Sequence, residues 1–353
     1  MEKIKVGIVG CGGMANGVHI PSYKKLPDVE VVACADINEK AAMNTAKKHN
    51  IPHYYIDYHK MFEEESLDAV SICTPNVFHK EPAILAMKNG AHVLTEKPMA
   101  ASLNDAKEMY YTAKKYNRML IVGFQTRFYP GIVALKNIVR EGLLGEIYYA
   151  RSWYLRRWGI PPSLTFINRK YSGGGSLLDI GCYAVDTILH ILGYPKPKGV
   201  FSGIFTKFGR DPYFAEHGCW GSKWRIEEFD VEDNAFGMIR FEKDLMVLIE
   251  TNWASYIRED GLNLTLMGTR GGARLKPFEI YRDVNGFRTT TNLQGDFPKI
   301  DTQQTKIFKF IESIKVGKPL YAPAIEGLRD QAILEAFYNS AKKGGEVKVE
   351  WDF

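Results

Sequence analysis

The chain has 353 residues, 45% of them apolar and 25% charged; that is ordinary globular material, too long for one comfortable core, so two domains are expected. The 46 basic and 41 acidic residues leave a formal charge of +5, and the cations are scattered rather than gathered with aromatics into a stripe, which argues against a nucleic-acid partner. No apolar run approaches the ~18 residues of a membrane span, and MEKIKVGIVGCGG enters a strand without a signal-peptide pattern. Cysteines 11, 34, 73, 182 and 219 form no CxxC pair, so the expectation is a cytoplasmic protein, off the membrane, without a disulfide framework or zinc ribbon.

In chain order, IKVGIV (4–9) reads as a strand, GCGGMANG as a glycine turn opening a helix that must end near Pro27, and VEVVACAD (29–36) as the next strand. A helix over 38–49, a short aromatic segment at 53–56, LDAVSICTP (67–75), a helix over 78–89, AHVLTEKP (91–98), a helix over 103–117 and MLIVGF (119–124) follow. Strands alternating with helices of this length predict a mostly parallel sheet covered on both faces, with ligands beyond the carboxyl ends of the strands. After Gly123 the texture changes. A helix over 130–141 precedes GEIYYARSWYLRR, several alternating segments fill 199–285, and helices are expected near 303–316 and 324–343. The division is therefore a nucleotide-binding domain over 1–123 and a substrate and oligomerisation domain over 124–353. The second is α/β, with a large, mainly antiparallel open sheet that buries one face and leaves the other for a partner.

The turn after the first strand places Gly10, Gly12 and Gly13 on a GxGxxG pattern, with Ala15 at the third glycine position. Gly10 allows the tight turn, Gly12 lets a pyrophosphate approach the backbone at a helix N-terminus, and Ala15 is small enough for close packing. A loop that merely needs small residues is the alternative, but the position between strand and helix, one unit before Asp36, favours a Rossmann domain. A carboxylate there accepts both ribose hydroxyls and repels a 2′-phosphate, and Ile37 and Asn38 bring no compensating cation, so NAD is preferred to NADP. The next strand ends carry CTPN (73–76), His79 one turn on, and TEKPMA (95–100). Pro75 and Pro98 fix the chain there. The cofactor-facing set is Gly10, Gly12, Gly13, Met14, Asp36, Thr74, Asn76, His79, Glu96, Lys97 and Gln125; for His79, simple capping or packing is an equal reading. Lys97, between a buried strand and a proline turn, can lower the pKa of a substrate hydroxyl and stabilise charge developing on its oxygen, the bland alternative being a surface ion pair.

SLLDIGCYAVDTILHILG reads as a helix on which Asp179 and Tyr183 share a face. Asp186 either continues that face or is structural. Gly173, Gly174 and Gly175 lack the strand that feeds a phosphate loop and read as a flexible entrance to the helix, and no metal is expected because convergent histidines or thiols are missing.

GCGGMA, CTPN with His79, TEKP and GGGSLLDIGCYAVD occur in order and spacing that resemble the glucose-fructose oxidoreductase, inositol dehydrogenase and rhizopine catabolism (Gfo/Idh/MocA) family, over essentially the whole chain. The resemblance implies an NAD(P)-dependent dehydrogenase of a sugar, inositol or related polyol. It carries the family's EKP lysine onto Lys97 and its catalytic aspartate onto Asp179; Tyr183 stands where most members have histidine. Lys97 is then clamp and relay, Asp179 orients the hydroxyl, and Tyr183, with a reference pKa of about 10, needs Lys97 to transfer a proton near neutrality. In SWYLRRWGIPPS the aromatic faces suit the C–H side of a sugar ring and the arginines its hydroxyls. Lys97, Arg127, Arg157, Trp158, Asp179, Tyr183 and His217 are the substrate candidates, with Trp220 a further one. A nucleotide-linked sugar or trans-dihydrodiol dehydrogenase, or a non-catalytic NAD-binding regulator, is the alternative. A homodimer or homotetramer through the open sheet is expected.

Overall fold

Six short apolar strands carry the first part of the computed structural model, which describes residues 3–217, 223–292 and 297–353. β1 (Ile4–Val9), β2 (Val29–Ala35), β3 (His53–Tyr55), β4 (Ala69–Ile72), β5 (His92–Thr95) and β6 (Leu120–Val122) are all parallel, in the order β3-β2-β1-β4-β5-β6. Apart from the exposed edge strand β3 their sequences are largely apolar because helices cover both faces; every residue of β4 is buried. Asn38 accepts from the Ala41 amide at 3.2 Å to start helix Glu39–His49, and Asn50 ends it in the left-handed region. Ser102 and Asn117 do the same for helix Leu103–Tyr116. Helix Tyr58–Glu64, capped by Asp57, is too short for a helical period to stand out in sequence, and the reading above passes over it.

The chain divides into two compact units, Met1–Gln125 with Asp301–Leu328, and Thr126–Ile300 with Arg329–Phe353. Sheet two of the molecule comprises β7 (Ile147–Leu155), β8 (Pro197–Phe205), β9 (Asn234–Phe241), β10 (Met246–Asn252), β11 (Gly261–Gly268), β12 (Gly272–Arg274), β13 (Glu279–Val284) and β14 (Phe287–Asn292), in the order β14-β13-β12-β11-β7-β10-β9-β8. Only β7 and β10 pair in parallel. Both sheets match the predicted architecture. Helix Cys182–Leu192 packs on one face of this sheet, against β7, β10 and β11. The stretch Arg169–Leu192 is long and apolar enough to cross a membrane, but 89% of its apolar window lies inside the protein, as in a core helix. On the opposite face, register sets Met238 between Phe201 and Leu248, and Phe201, Met238, Met246 and Met267 are 38–52% exposed.

The triple glycine before that helix is closely packed. Gly173 caps helix Arg169–Ser172 at φ 77°. A Cβ on Gly174 would overlap the Tyr338 hydroxyl, and one on Gly175 the Glu232 carbonyl oxygen. The amides of Gly175 and Leu177 donate to Glu232 Oε1 at 2.9 and 3.0 Å, and the Tyr338 hydroxyl donates to the same oxygen at 2.9 Å. Close approach to the Tyr338 hydroxyl and to the Glu232 backbone carbonyl is what demands glycine at 174 and 175.

Candidate active site

In the first unit the switch point of the sheet lies between β1 and β4, which run on to either side of one crevice. Gly10 turns there at φ 92°, and a Cβ on it would sit 2.7 to 2.8 Å from the backbone of Cys73 and Thr74. Gly12 and Gly13 face open space. The following helix is wound as a π-helical turn, Ala15–His19, that continues as Ile20–Tyr23. At the end of β2 the Asp36 carboxylate is oriented by two amides: Cys11 N–H donates to Oδ2 and Asn38 N–H to Oδ1, each at 2.8 Å. Its oxygens keep further lone pairs for ribose hydroxyls. Ile37 beside it is 91% exposed, an apolar plate of the kind an adenine face covers; sequence reading noted only its lack of charge. The open glycine amides, the oriented carboxylate and the apolar plate fit a dinucleotide.

Thr74 donates to the Phe78 carbonyl at 3.0 Å, and the fully buried His79 sets Nε2 2.9 Å from the Thr74 carbonyl and Nδ1 3.0 Å from the Pro98 carbonyl, donating to one of them when neutral. His79 thus ties the CTPN turn to the EKP turn, and burial lowers its pKa. Lys97 is half-buried, and the Lys97–Pro98 bond is cis. Glu96 points inward: its Oε1 meets His19 Nε2 at 2.7 Å and the ammonium of Lys306. A residue expected to face the cofactor is therefore bonded into the interior, because the alternation along a strand end turns Glu96 away from the side of Lys97. Gln125 is buried at the end of this unit, while Asn76 and Met14 are half-buried.

In the second unit the π-helical turn Leu177–Gly181 leads into helix Cys182–Leu192 and carries Asp179. Asp179 is 8% exposed; the indole Nε1–H of Trp253 donates to its Oδ2 at 2.9 Å, and Arg156 Nη1 stands 3.8 Å from the same oxygen. Tyr183, one turn on and equally buried, packs its ring 6.0 Å from that of Tyr154, over which the Arg156 guanidinium also lies at 5.7 Å. Trp253 went unnoticed in the sequence because nothing local links it to a residue 74 positions away; only its place just past the end of β10 does. Arg127, expected at the substrate, is 4% exposed: its Nε donates to both Asp186 oxygens at 3.0 and 3.1 Å and its Nη2 to Tyr194 at 2.6 Å. Asp186 is 0% exposed. In this structure the Arg127 guanidinium turns to Asp186 and Tyr194 in the interior of the unit, and Asp186 is held there with it.

Arg157, Trp158, Phe214, Ser255, Tyr256 and Asp260 line a cavity of about 370 Å³. Trp158 stacks on Phe214 at 4.5 Å and meets Tyr213 edge-on at 6.4 Å, and Tyr213 in turn stacks on His217 at 4.2 Å. Three substrate candidates, Arg157, Trp158 and His217, are thereby gathered around one aromatic cluster. Trp220 lies outside the described residues. Among the described residues, no group of three or more His, Cys, Asp or Glu side chains is gathered as a metal site.

A parallel sheet ordered in this way, with an open glycine turn at its switch point and an oriented carboxylate on the neighbouring strand, defines a dinucleotide-binding domain. Residues 4–124 match the family model described as "oxidoreductase family, NAD-binding Rossmann fold", and residues 132–274 the GFO/IDH/MocA C-terminal domain. D-glucoside 3-dehydrogenase of Escherichia coli (strain K12) is 34% identical over 350 residues, covering 99% of this chain and 98% of that one. Levoglucosan dehydrogenase of Pseudarthrobacter phenanthrenivorans is 27% identical over 390 residues, covering 99% of each. A solved structure of levoglucosan dehydrogenase with NADH and L-sorbose shares the fold at a TM-score of 0.86, with 24% identity and full coverage of both chains. The chain belongs to the Gfo/Idh/MocA family of oxidoreductases: it is an NAD(P)-dependent dehydrogenase acting on CH–OH groups, and NAD is its cofactor.

Proposed function

We propose that the enzyme oxidises a ring hydroxyl of a glycoside, or of a sugar or cyclitol closely related to one, to the ketone. The observation that carries the substrate class is the cavity in which Trp158, Phe214 and Tyr256 stand beside Arg157, Asp260 and Ser255. Aromatic faces take the C–H face of a pyranose, and a guanidinium and a carboxylate together bond its hydroxyl edge. The full-length likeness to a D-glucoside 3-dehydrogenase points the same way.

Bound NAD⁺ supplies the hydride acceptor, so that CH–OH and NAD⁺ become C=O, NADH and a proton. The chain's own residues must hold the carbinol and take that proton. In this proposal the Lys97 ammonium stabilises negative charge growing on the oxygen, Asp179 accepts the hydroxyl hydrogen bond that orients it, and Tyr183 passes the proton on. Trp253 and Arg156 keep the Asp179 carboxylate in one orientation. Arg157, Trp158 and His217 contribute to substrate binding.

The test is a rate screen of methyl glucosides, disaccharides, free aldoses and inositols with NAD⁺ and NADP⁺, followed by absorbance of the reduced nicotinamide. Glycosides should lead with NAD⁺; a panel led by free aldoses or inositols would overturn the glycoside assignment. Tyr183→Phe retaining near-full turnover across the pH range refutes the role of Tyr183. We propose further that the enzyme works in the cytoplasm and that a second copy of the chain covers the exposed face of Phe201, Met238, Met246 and Met267. Light scattering should return a dimer or tetramer, and Met238→Lys a smaller species.

A further inference from the structure

We propose that Lys306, which lies 209 residues beyond Lys97 in the chain, is a positioning residue for the reaction. Through its buried ion pair with Glu96 it fixes the strand end that carries Lys97, and through His19 it joins that strand end to the helix behind the glycine turn. The inference rests on the proposed role of Lys97.

Lys306 sits on helix Thr302–Val316 and is 0% exposed. Its ammonium reaches Glu96 Oε1, and its backbone carbonyl accepts from the Tyr321 hydroxyl at 2.8 Å. The same Glu96 oxygen is 2.7 Å from His19 Nε2; His19 Nδ1 is 3.0 Å from Ser71 Oγ, which is 2.7 Å from the Tyr23 hydroxyl. His19, Tyr23 and Ser71 are also 0% exposed. One proton arrangement satisfies every group. Tyr23 donates to Ser71, Ser71 donates to Nδ1 of a neutral His19, and Nε2–H donates to Glu96. The chain thus runs from β4, through the helix that follows the glycine turn, to the end of β5, and Lys306 closes it.

A buried ion pair is seldom a net stabiliser compared with apolar residues of the same shape. What it supplies is direction, and here the direction is imposed on the residue next to Lys97. The Glu96 amide donates to the Ile72 carbonyl at 3.0 Å, and a Cβ on Gly123 would stand only 3.3 Å from the Glu96 carboxylate. The carboxylate therefore has little room to take another course. The titratable groups facing it are His19 and Tyr23 from the helix behind the turn, Cys73 at the end of β4, His79 and Lys306. Lys306 and His19 hold its carboxyl well below the usual range against the desolvation that would raise it, so it stays charged throughout the working pH range.

Lys306→Met keeps most of the side-chain volume and removes the charge. The Glu96 pKa then rises, and as the pH falls through the new value the carboxyl takes a proton and loses its charge-assisted bonds. The full-length enzyme is assayed with NAD⁺ and methyl glucoside, or the best substrate of the panel above, alongside thermal melting and an NADH fluorescence titration. The expected result is a folded variant whose kcat is at least fivefold lower, whose NADH affinity is within threefold of the parent, and whose kcat falls on the acid side more steeply than the parent's. A kcat loss smaller than fivefold, or a pH profile superimposable on the parent, overturns the proposal, because a merely structural lysine would change melting alone. If Lys306→Met does not fold, the net-neutral double variant Glu96→Gln with Lys306→Met takes its place: a kcat at least fivefold low without an acid limb supports positioning, and a smaller loss overturns it. Lys97→Met separates the two readings. Its retaining turnover removes the role assigned to Lys97, whereas an inactive Lys97→Met beside a parent-like Lys306→Met removes this inference only.

Discussion

Asp36→Asn isolates the charge that selects the cofactor. The carboxylate is held by the Cys11 and Asn38 amides, one on each oxygen, at 2.8 Å each; asparagine keeps an acceptor for one of them and loses the bond to the other, a cost that both cofactors share and that cancels in the ratio of their affinities. NADH loses the difference between a hydrogen bond to a charged acceptor, about 1.5–3 kcal/mol, and one to a neutral acceptor, about 1 kcal/mol: a cost of about 0.5–2 kcal/mol. NADPH is relieved of repulsion between the carboxylate and a 2′-phosphate of about −1.5 to −2 charge. At about 4 Å in solvent that is about 1 kcal/mol per unit charge, so NADPH gains about 1.5–2 kcal/mol. The ratio of the NADPH to the NADH dissociation constant should therefore fall by about 2–4 kcal/mol in total, between about thirtyfold and nearly a thousandfold at 1.36 kcal/mol per decade. Fluorescence titration of both reduced cofactors reads the ratio without a substrate. A change below threefold would show that Asp36 does not face the ribose.

Three further outcomes are expected. Trp253→Phe keeps the contact with Phe229 but removes the indole N–H from Asp179; the lost bond of about 1.5–3 kcal/mol should lower kcat/KM by about ten- to 150-fold, and a loss under threefold in steady-state kinetics would contradict a fixed Asp179. Asp186→Ala strands the Arg127 guanidinium at 2% exposure and should cost about 3–5 kcal/mol in urea unfolding, with most of it regained in Arg127→Met plus Asp186→Leu; equal stability of the single variant and the parent would refute the buried pair. His19 has a lowered pKa because of its burial, so below its unfolded value near 6.5 the unfolded chain binds a proton that the folded one refuses. Stability should therefore drop by about 1.4 kcal/mol per pH unit from His19 alone as the pH falls below ~6.5, with Glu96 adding a loss below its ordinary range near 4.5; unfolding midpoints that match at pH 7 and pH 5 would contradict this.

The parallel sheet, the glycine turn, Asp36 and the helix bearing Asp179 and Tyr183 could be read from the sequence because each is written over a few neighbouring residues. Apolar runs mark strands buried on both faces, a glycine pattern between strand and helix marks a phosphate turn, and a spacing of four marks one helix face. The short helix Tyr58–Glu64 left too few residues to show its period. The three glycines at 173–175 were visible but their reasons were not. Gly174 and Gly175 are dictated by Tyr338 and Glu232, which arrive from other elements.

What the sequence determined by itself is the kind of chemistry: a dinucleotide domain, a lysine at a strand end, an aspartate and a tyrosine on one helix, and an aromatic, arginine-bearing segment after the first strand of the second sheet. Tertiary structure alone decided which polar groups turn into the interior. Arg127 and Glu96 looked like site residues until Asp186 and Lys306 were found against them, the latter from 210 positions away. The physical reason is one of range. Backbone periodicity and turn chemistry act over a few residues, whereas a buried charge is assigned its partner only when distant segments pack, and no spacing in the sequence records that meeting.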